Sequence, residues 1–387
     1  MPYQKEVQVA ATGTSPGFSS AVFSSPRPYE VLAAKNATLR LRAPSGHIFS
    51  FTDLTSAHGA VNFGHLNPAI DPFTGLASDL ATGFYPPAAA SYAEWLCGKL
   101  HLETHNVLYR VGGNSAVGAA IGMAQQARKG KIVVIDGASH GLGRKARNYR
   151  GTDSFVSIAA GSEFTAWDGV SCLVYEPILG ANGANGSVPV PLPWLRGLSQ
   201  SAQEAGVTVI ADEIQCGFFR FGKLSLAMSE YLHPDMYLFG NSMTNGIYPL
   251  SAVVCPKTLD GGVLAGDGGG DLTFQTATLG YQAAECVAKY IDSTDIEGQV
   301  EQIHLVLGKV GERLAANPRL SSFHLAGPTL SLEVLDGREM DLVHACEERC
   351  VLVGVGGSRV RLAPPTTIPL EQLTSALKIV EQAAKGL

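Results

Sequence analysis

The chain has 387 residues and a formal net charge of −6, with 28 basic against 34 acidic side chains. That length can bury a large core and suggests one large domain plus a smaller one. The mild acidity and the lack of any Lys/Arg block argue against a nucleic-acid backbone or an anionic membrane as main partner, so a small-molecule enzyme fits better. Seven cysteines, at 97, 172, 216, 255, 286, 346 and 350, have no C-x-x-C spacing and several lie in apolar runs. They read as reduced core thiols of a cytoplasmic protein. No stretch has the apolar length of a leader or a membrane span, so no targeting is expected.

Residues 1–30, rich in Gly, Ser and Pro, read as an extended arm. The stretch NATLRLRAPSGHIFSFTDL (36–54) carries short β-like runs around Ser45-Gly46 and predicts a small antiparallel element. From about residue 90, amphipathic helices alternate with short apolar, β-branched runs: NVLYRV, KIVVID, SCLVYEP, VTVIADE, DMYLFG and LSAVVCP. This alternation predicts an α/β domain on a mostly parallel sheet covered on both faces. After Gly280 long helical segments lead into short strands and a final amphipathic helix, LEQLTSALKIVEQAAKG, which predicts a small α+β domain. The boundaries expected are 1–50 for the arm and part of the small domain, 51–285 for the large domain and 286–387 for the C-terminal small domain.

Ligands of open parallel sheets sit beyond the carboxyl ends of the strands, so the residues just after each run carry the chemistry. Gly112-Gly113-Asn114-Ser115 precedes a helix; small residues and a helix N-terminus there suit a phosphate, or simply make a strand-to-helix turn. The run VTVIADEIQCGFFRFGK (207–223) delivers Asp212 and Glu213 at the end of a core strand, then Ile214 and Gln215. A buried carboxylate there is costly without a positive partner.

This second run resembles the ADEVQTGFGRTGK signature of class III aminotransferases, pyridoxal-phosphate (PLP) enzymes of fold type I. The resemblance extends through GHIFSFTDLTSAHGAVNFGHLNPAI, YEPILGANG, YLFGNSMTNGIYPLSAVV, LTFQT and RVRLAPP, and so covers most of the chain. It implies a large domain on a mostly parallel seven-stranded sheet and a small α+β C-terminal domain. Asp212 is then expected to bond the pyridine nitrogen of PLP, Ile214 to pack under its ring and Gln215 to meet its phenolic oxygen. Gly113, Asn114, Ser115, Ser139, His140 and Glu176 are expected around the cofactor, Thr273 at the phosphate of a neighbouring subunit's cofactor, and Arg361 at a substrate carboxylate. It also implies a homodimer with shared active sites, a small-molecule amine substrate in a biosynthetic setting, and no metal.

The sequence departs from the family pattern at three places. The lysine that normally holds the cofactor falls on Asn241, and an amide neither forms an imine nor works as a general base. The usual aromatic before His-Gly is Ser139, and GGNSA stands where the family has SGSEA, so Ser115 replaces an acidic residue. His140 is expected either over the ring or in a structural hydrogen bond. Asn241 has two explanations: an introduced substitution that traps PLP, PMP or an external aldimine, or a native residue of an enzyme that uses PLP or PMP without a covalent anchor. With a lysine, the resemblance implies transamination through an external aldimine and quinonoid. Elimination, γ-replacement or carbon–carbon bond formation stays open, as does a protein of this fold that only binds.

Overall fold

The structure, a computed structural model, describes residues 29–74, 76, 78–80, 86–140, 154–180, 187–259, 274 and 277–387. Near the start, β1 (Glu30–Lys35), β2 (Thr38–Arg42) and β3 (Ile48–Asp53) form an antiparallel meander. The expected antiparallel element is thus present. It also gains a strand from the far end of the chain: Val351–Leu352, in the VLVGVGG run, lies parallel to β3 and pairs with Thr52 and Asp53.

The central sheet has seven strands: β4 (His105–Val111), β5 (Lys131–Ile135), β6 (Phe155–Ile158), β7 (Val170–Tyr175), β8 (Thr208–Asp212), β9 (Met236–Phe239) and β10 (Leu250–Pro256). Their order is β4-β10-β9-β8-β7-β5-β6, and β10 alone runs antiparallel to its neighbours. Strands β7 and β9 are buried at every position, and β8 at all but its first, as strands covered on both faces must be. Helices α1 (Pro87–Lys99), α2 (Gly113–Ala127), α3 (Leu192–Glu204) and α4 (Thr278–Ser293) supply the cover. Ala116, Val117, Ala120 and Met123 of α2 pack on Ile210, Leu238 and Val253 of the sheet. Their small side chains bring α2 close, so its N-terminus lies at the sheet's carboxyl edge.

Helix α5 (Ile296–Leu314) leads into a second sheet, β11 (Leu320–Ala326), β12 (Thr329–Val334), β13 (Gly354–Gly356) and β14 (Arg359–Leu362), antiparallel in the order β11-β12-β14-β13. Helices α6 (Glu339–Glu347) and α7 (Leu370–Ala384) share its core with α5, through Leu307, Val310, Leu332, Leu362, Leu373 and Val380. Ala37 and Leu54 from the N-terminal meander join that same core. All seven cysteines are free; four are buried, while Cys97, Cys286 and Cys350 are only partly so and are not core thiols in the sense expected. Among the described residues no helix is long and apolar enough to cross a membrane.

Candidate active site

Because β4, β5, β7, β8 and β9 all run the same way, their carboxyl ends share one edge of the sheet. The segments that leave those ends meet around one cavity of about 160 Å³. Its wall is built from Gly113 and Asn114 after β4, Ser139 and His140 after β5, and Glu176 after β7. Asp212, Ile214 and Gln215 at the end of β8 and Asn241 after β9 complete it. Nine of the residues singled out from the sequence therefore converge. Ser115 is not among the residues lining the cavity; it lies one position further into α2, its N–H directed back to the Gly112 carbonyl at 3.2 Å. Thr273 lies outside the described residues.

Two glycines fix the floor. A Cβ on Gly113 would sit 3.0 Å from Ile214 Cγ2, and one on Gly240 would sit 3.1 Å from the same atom and 2.8 Å from Ser251 Oγ. Ile214 is held between them, and a bulkier residue at either place would push it into the cavity. No side chain caps α2 at Gly112, so the positive end of a 15-residue helix is directed at the cavity.

Asp212 and His140 form a buried pair, Oδ2 to Nδ1 at 2.9 Å, and Asp212 Oδ1 accepts from the Ile214 N–H at 3.2 Å. Burial pulls the His140 pKa down, but the hydrogen bond and charge of Asp212, with Glu176 behind it, outweigh burial and hold it above the ordinary imidazole value. The His140 Nε2 is buried with no hydrogen-bond partner. Of the two expectations for His140, the structure supplies the hydrogen-bonded one.

Glu176 is buried and accepts N–H bonds from Ser139 (2.8 Å) and Gly180 (3.1 Å), both at Oε2. Burial raises its pKa well above the usual carboxylate range; Asp212 adds to this, while the His140 charge and the two N–H bonds oppose it. Asn241 sits at φ 47°, a left-handed conformation that Asn tolerates better than most residues, and its Nδ2 donates to Gln215 Oε1 at 3.0 Å.

Arg361, on β14, is buried and borders a second, smaller cleft that Gln215 shares. That cleft holds about 10 Å³, space for about one water, so no carboxylate reaches Arg361 without the cleft widening. Sequence reasoning missed its companion Arg220, also buried, which donates to the Pro364 carbonyl (3.3 Å) and to Asn62 Oδ1 and leaves its Nε without a partner. Burial and the charge of Arg361 pull the Arg220 pKa down to about 9 against the charge of Asp53, so it stays a cation at neutral pH. The only sequence signal was its place inside the 207–223 run. Glu213, next to Asp212, does not line the cavity. It accepts from Ser225 Oγ (2.5 Å), the Leu226 N–H (2.6 Å) and the Ala227 N–H (3.3 Å), fastening a short helical turn, and burial lifts its pKa to about 7.

Solved structures define the class to which this fold and cavity belong. Acetylornithine aminotransferase from Elizabethkingia anophelis superposes with a TM-score of 0.79 over 98% of both chains at 22% identity. Taurine:2-oxoglutarate aminotransferase from Bifidobacterium kashiwanohense, in complex with PLP and glutamate, does so with 0.83 over 99% of this chain and 97% of the other at 18% identity. The fold is that of the fold-type-I PLP-dependent transferases. Ornithine aminotransferase 2 of Staphylococcus aureus is 25% identical over 385 residues, covering 91% of this chain and 93% of its own. Residues 162–384 match the aminotransferase class-III family, and the chain belongs to that family of PLP-dependent transferases.

Proposed function

We propose that the chain binds PLP or PMP without a covalent anchor in the 160 Å³ cavity and acts there on a small amine or amino acid in an aminotransferase-type reaction, with Asn241 where the family carries its Schiff-base lysine. The observation that carries this is the joining of a buried Asp212–His140 pair to Ile214, Gln215 and Asn241 on one cavity that, among the described residues, no lysine lines. The donor set fits the cofactor. Asp212 is a buried carboxylate paired with His140, an acceptor suited to a ring N–H⁺. Ile214, clamped by two glycines, offers a flat apolar floor, and the uncapped start of α2 offers N–H groups to a phosphate.

Bound PLP supplies a ring that takes up the electron pair released at the substrate's amine-bearing carbon. The chain's own residues do the rest. Asp212 would bond the ring nitrogen in its protonated form, and His140 holds Asp212 in place through their 2.9 Å hydrogen bond. Asn241 keeps the Gln215 amide oriented through its 3.0 Å hydrogen bond. Ser139, where the family has an aromatic, leaves the upper face open to a bulky substrate. Arg361 meets a substrate carboxylate once the cleft beside Gln215 widens.

One observation favours the lysine-less form over an introduced substitution. Asn241 occupies a left-handed position, φ 47°, that suits asparagine, and it is hydrogen-bonded to Gln215. A homodimer belongs to the same reading, since Leu66, Phe73 and Phe274 are 78%, 68% and 65% exposed on adjoining segments.

The test is direct. PLP and PMP are titrated into the purified protein by absorbance, the mixture is reduced with borohydride, and the intact mass is measured. Saturable binding with no mass increase supports the reading. Absence of binding of either form, or a reduced lysine adduct, overturns it.

A further inference from the structure

A site without its lysine still needs a group to move the proton at the substrate carbon, and among the described residues the cavity offers three ionisable side chains: His140, Asp212 and Glu176. Two of them are already engaged. Asp212 spends one oxygen on His140 and the other on the Ile214 N–H. His140 spends Nδ1 on Asp212, and its Nε2 is sealed from solvent. Glu176 differs, because both of its N–H donors, Ser139 and Gly180, bond the same oxygen, Oε2. A carboxylate has about four lone-pair sites on two oxygens, so this anchoring orients the group while sparing Oε1 for the cavity.

We propose that Glu176 is the catalytic acid–base of this site, accepting the proton of the substrate's amine-bearing carbon on Oε1 and returning it. The proposal rests on the lysine-less PLP reading. In the forward direction the C–H bond breaks, an O–H bond forms on Glu176, and the electron pair passes into the bound ring. Reversal of the same transfer, or delivery of that proton to another carbon, restores the carboxylate.

The surroundings suit a residue that must both take and give a proton near neutrality. Burial and Asp212 favour its neutral form; the His140 charge and the two N–H groups favour its ionised form, and Cys216 is the other titratable side chain within reach of its charge. A buried carboxyl balanced in this way is raised towards the operating pH, where general acid–base catalysis is most effective. Asn241 cannot share the work, since an amide has no proton to exchange in that range.

The experiment incubates the full chain with PLP and L-ornithine or L-glutamate in D₂O and follows loss of the α-proton signal by NMR. Glu176→Gln and Glu176→Asp are run beside the parent, PLP affinity is measured for each by absorbance, and the neutral carboxyl band is followed by infrared in the unloaded protein. The parent exchanges the α-proton at a rate that climbs with pH to a plateau, as Glu176 loses its proton. Glu176→Gln binds PLP with affinity within a few-fold of the parent, exchanges about 100-fold more slowly or worse, and lacks one infrared carboxyl band titrating near neutrality. Glu176→Asp keeps measurable exchange. If PLP binds but exchange is absent in the parent or unchanged in Glu176→Gln, the proposal is wrong while the cofactor reading stands. If the parent binds no PLP, the cofactor reading falls and takes the proposal with it.

Discussion

Asn241→Lys tests the placement of the whole site. Lysine at φ 47° costs about 1 kcal/mol more than asparagine, because its Cβ meets the following carbonyl without the local hydrogen bond asparagine can make. Loss of the 3.0 Å bond to Gln215 costs about another 1 kcal/mol. The unloaded variant is therefore expected to be destabilised by roughly 2 kcal/mol, a Tm drop of about 2–3 °C for a chain of this size. Adding PLP reverses the sign, since the new amine faces the cofactor site and can bond to it covalently. The assay is thermal unfolding with and without PLP, followed by borohydride reduction and peptide mapping. The expected result is a lower Tm without PLP, a higher one with it, and a reduced adduct on residue 241. A variant that takes up no adduct, under conditions where the parent binds PLP, would refute the assignment of position 241 to the family's lysine.

Asp212→Asn removes a charge-assisted hydrogen bond of about 1.5–3 kcal/mol, so PLP affinity is expected to fall about 10- to 100-fold by absorbance titration. The same variant strips His140 of the partner that outweighs its burial, so the imidazole pKa, followed by NMR, should drop from above its ordinary value; an unchanged pKa would contradict the pairing. Asp53 gives a pH prediction. Although burial opposes it, hydrogen bonds from His65 and Thr55 (2.8, 2.6 and 2.8 Å) hold its pKa below the ordinary carboxylate value. Its stabilisation is therefore present above the unfolded-state pKa and lost as pH falls through the lower folded-state one. Asp53→Asn should cost about 3 kcal/mol at pH 7 by denaturant unfolding, with the gap to the parent closing in acid; a gap that persists at the lowest pH would show the carboxylate charge to be irrelevant.

The order of strands and helices was legible because each depends on local periodicity, and so was the edge of the sheet that carries the site. Asp212, Ile214 and Gln215 could be placed because the run 207–223 that carries them resembles the class III signature; a buried acid at a strand end would by itself also suit a structural ion pair. The pairings made across the chain were not legible. His140 meets Asp212 across 72 positions and Arg220 meets Asn62 across 158, and neither side chain changes the local pattern that contains it. The run VLVGVGG reads as a short strand, but nothing in it names the partner of Val351–Leu352, which is the free edge of β3. Ser115 was chosen for its spacing in the GGNS turn, and a helix advances by about 100° per residue, enough to turn it out of a wall that Asn114 still lines.

The two unusual features of the site, Asn241 and the near-neutral Glu176, follow from one cause. A unit charge at roughly 6 Å and an effective dielectric of about 20 is worth about 3 kcal/mol, so an ammonium on the same cavity wall would favour the ionised carboxyl on that scale. Asparagine supplies no such charge, so the balance at Glu176 is set by burial and Asp212 against His140 and the N–H groups of Ser139 and Gly180. Removing the lysine thereby leaves behind a carboxyl able to hold a proton near neutrality. The prediction is that Asn241→Lys, before PLP is added, moves the titration of the Glu176 infrared band to lower pH, and that PLP, by consuming the amine, moves it part of the way back. Should the band titrate identically in the parent and in Asn241→Lys, residue 241 does not act on Glu176, and the two features have separate origins.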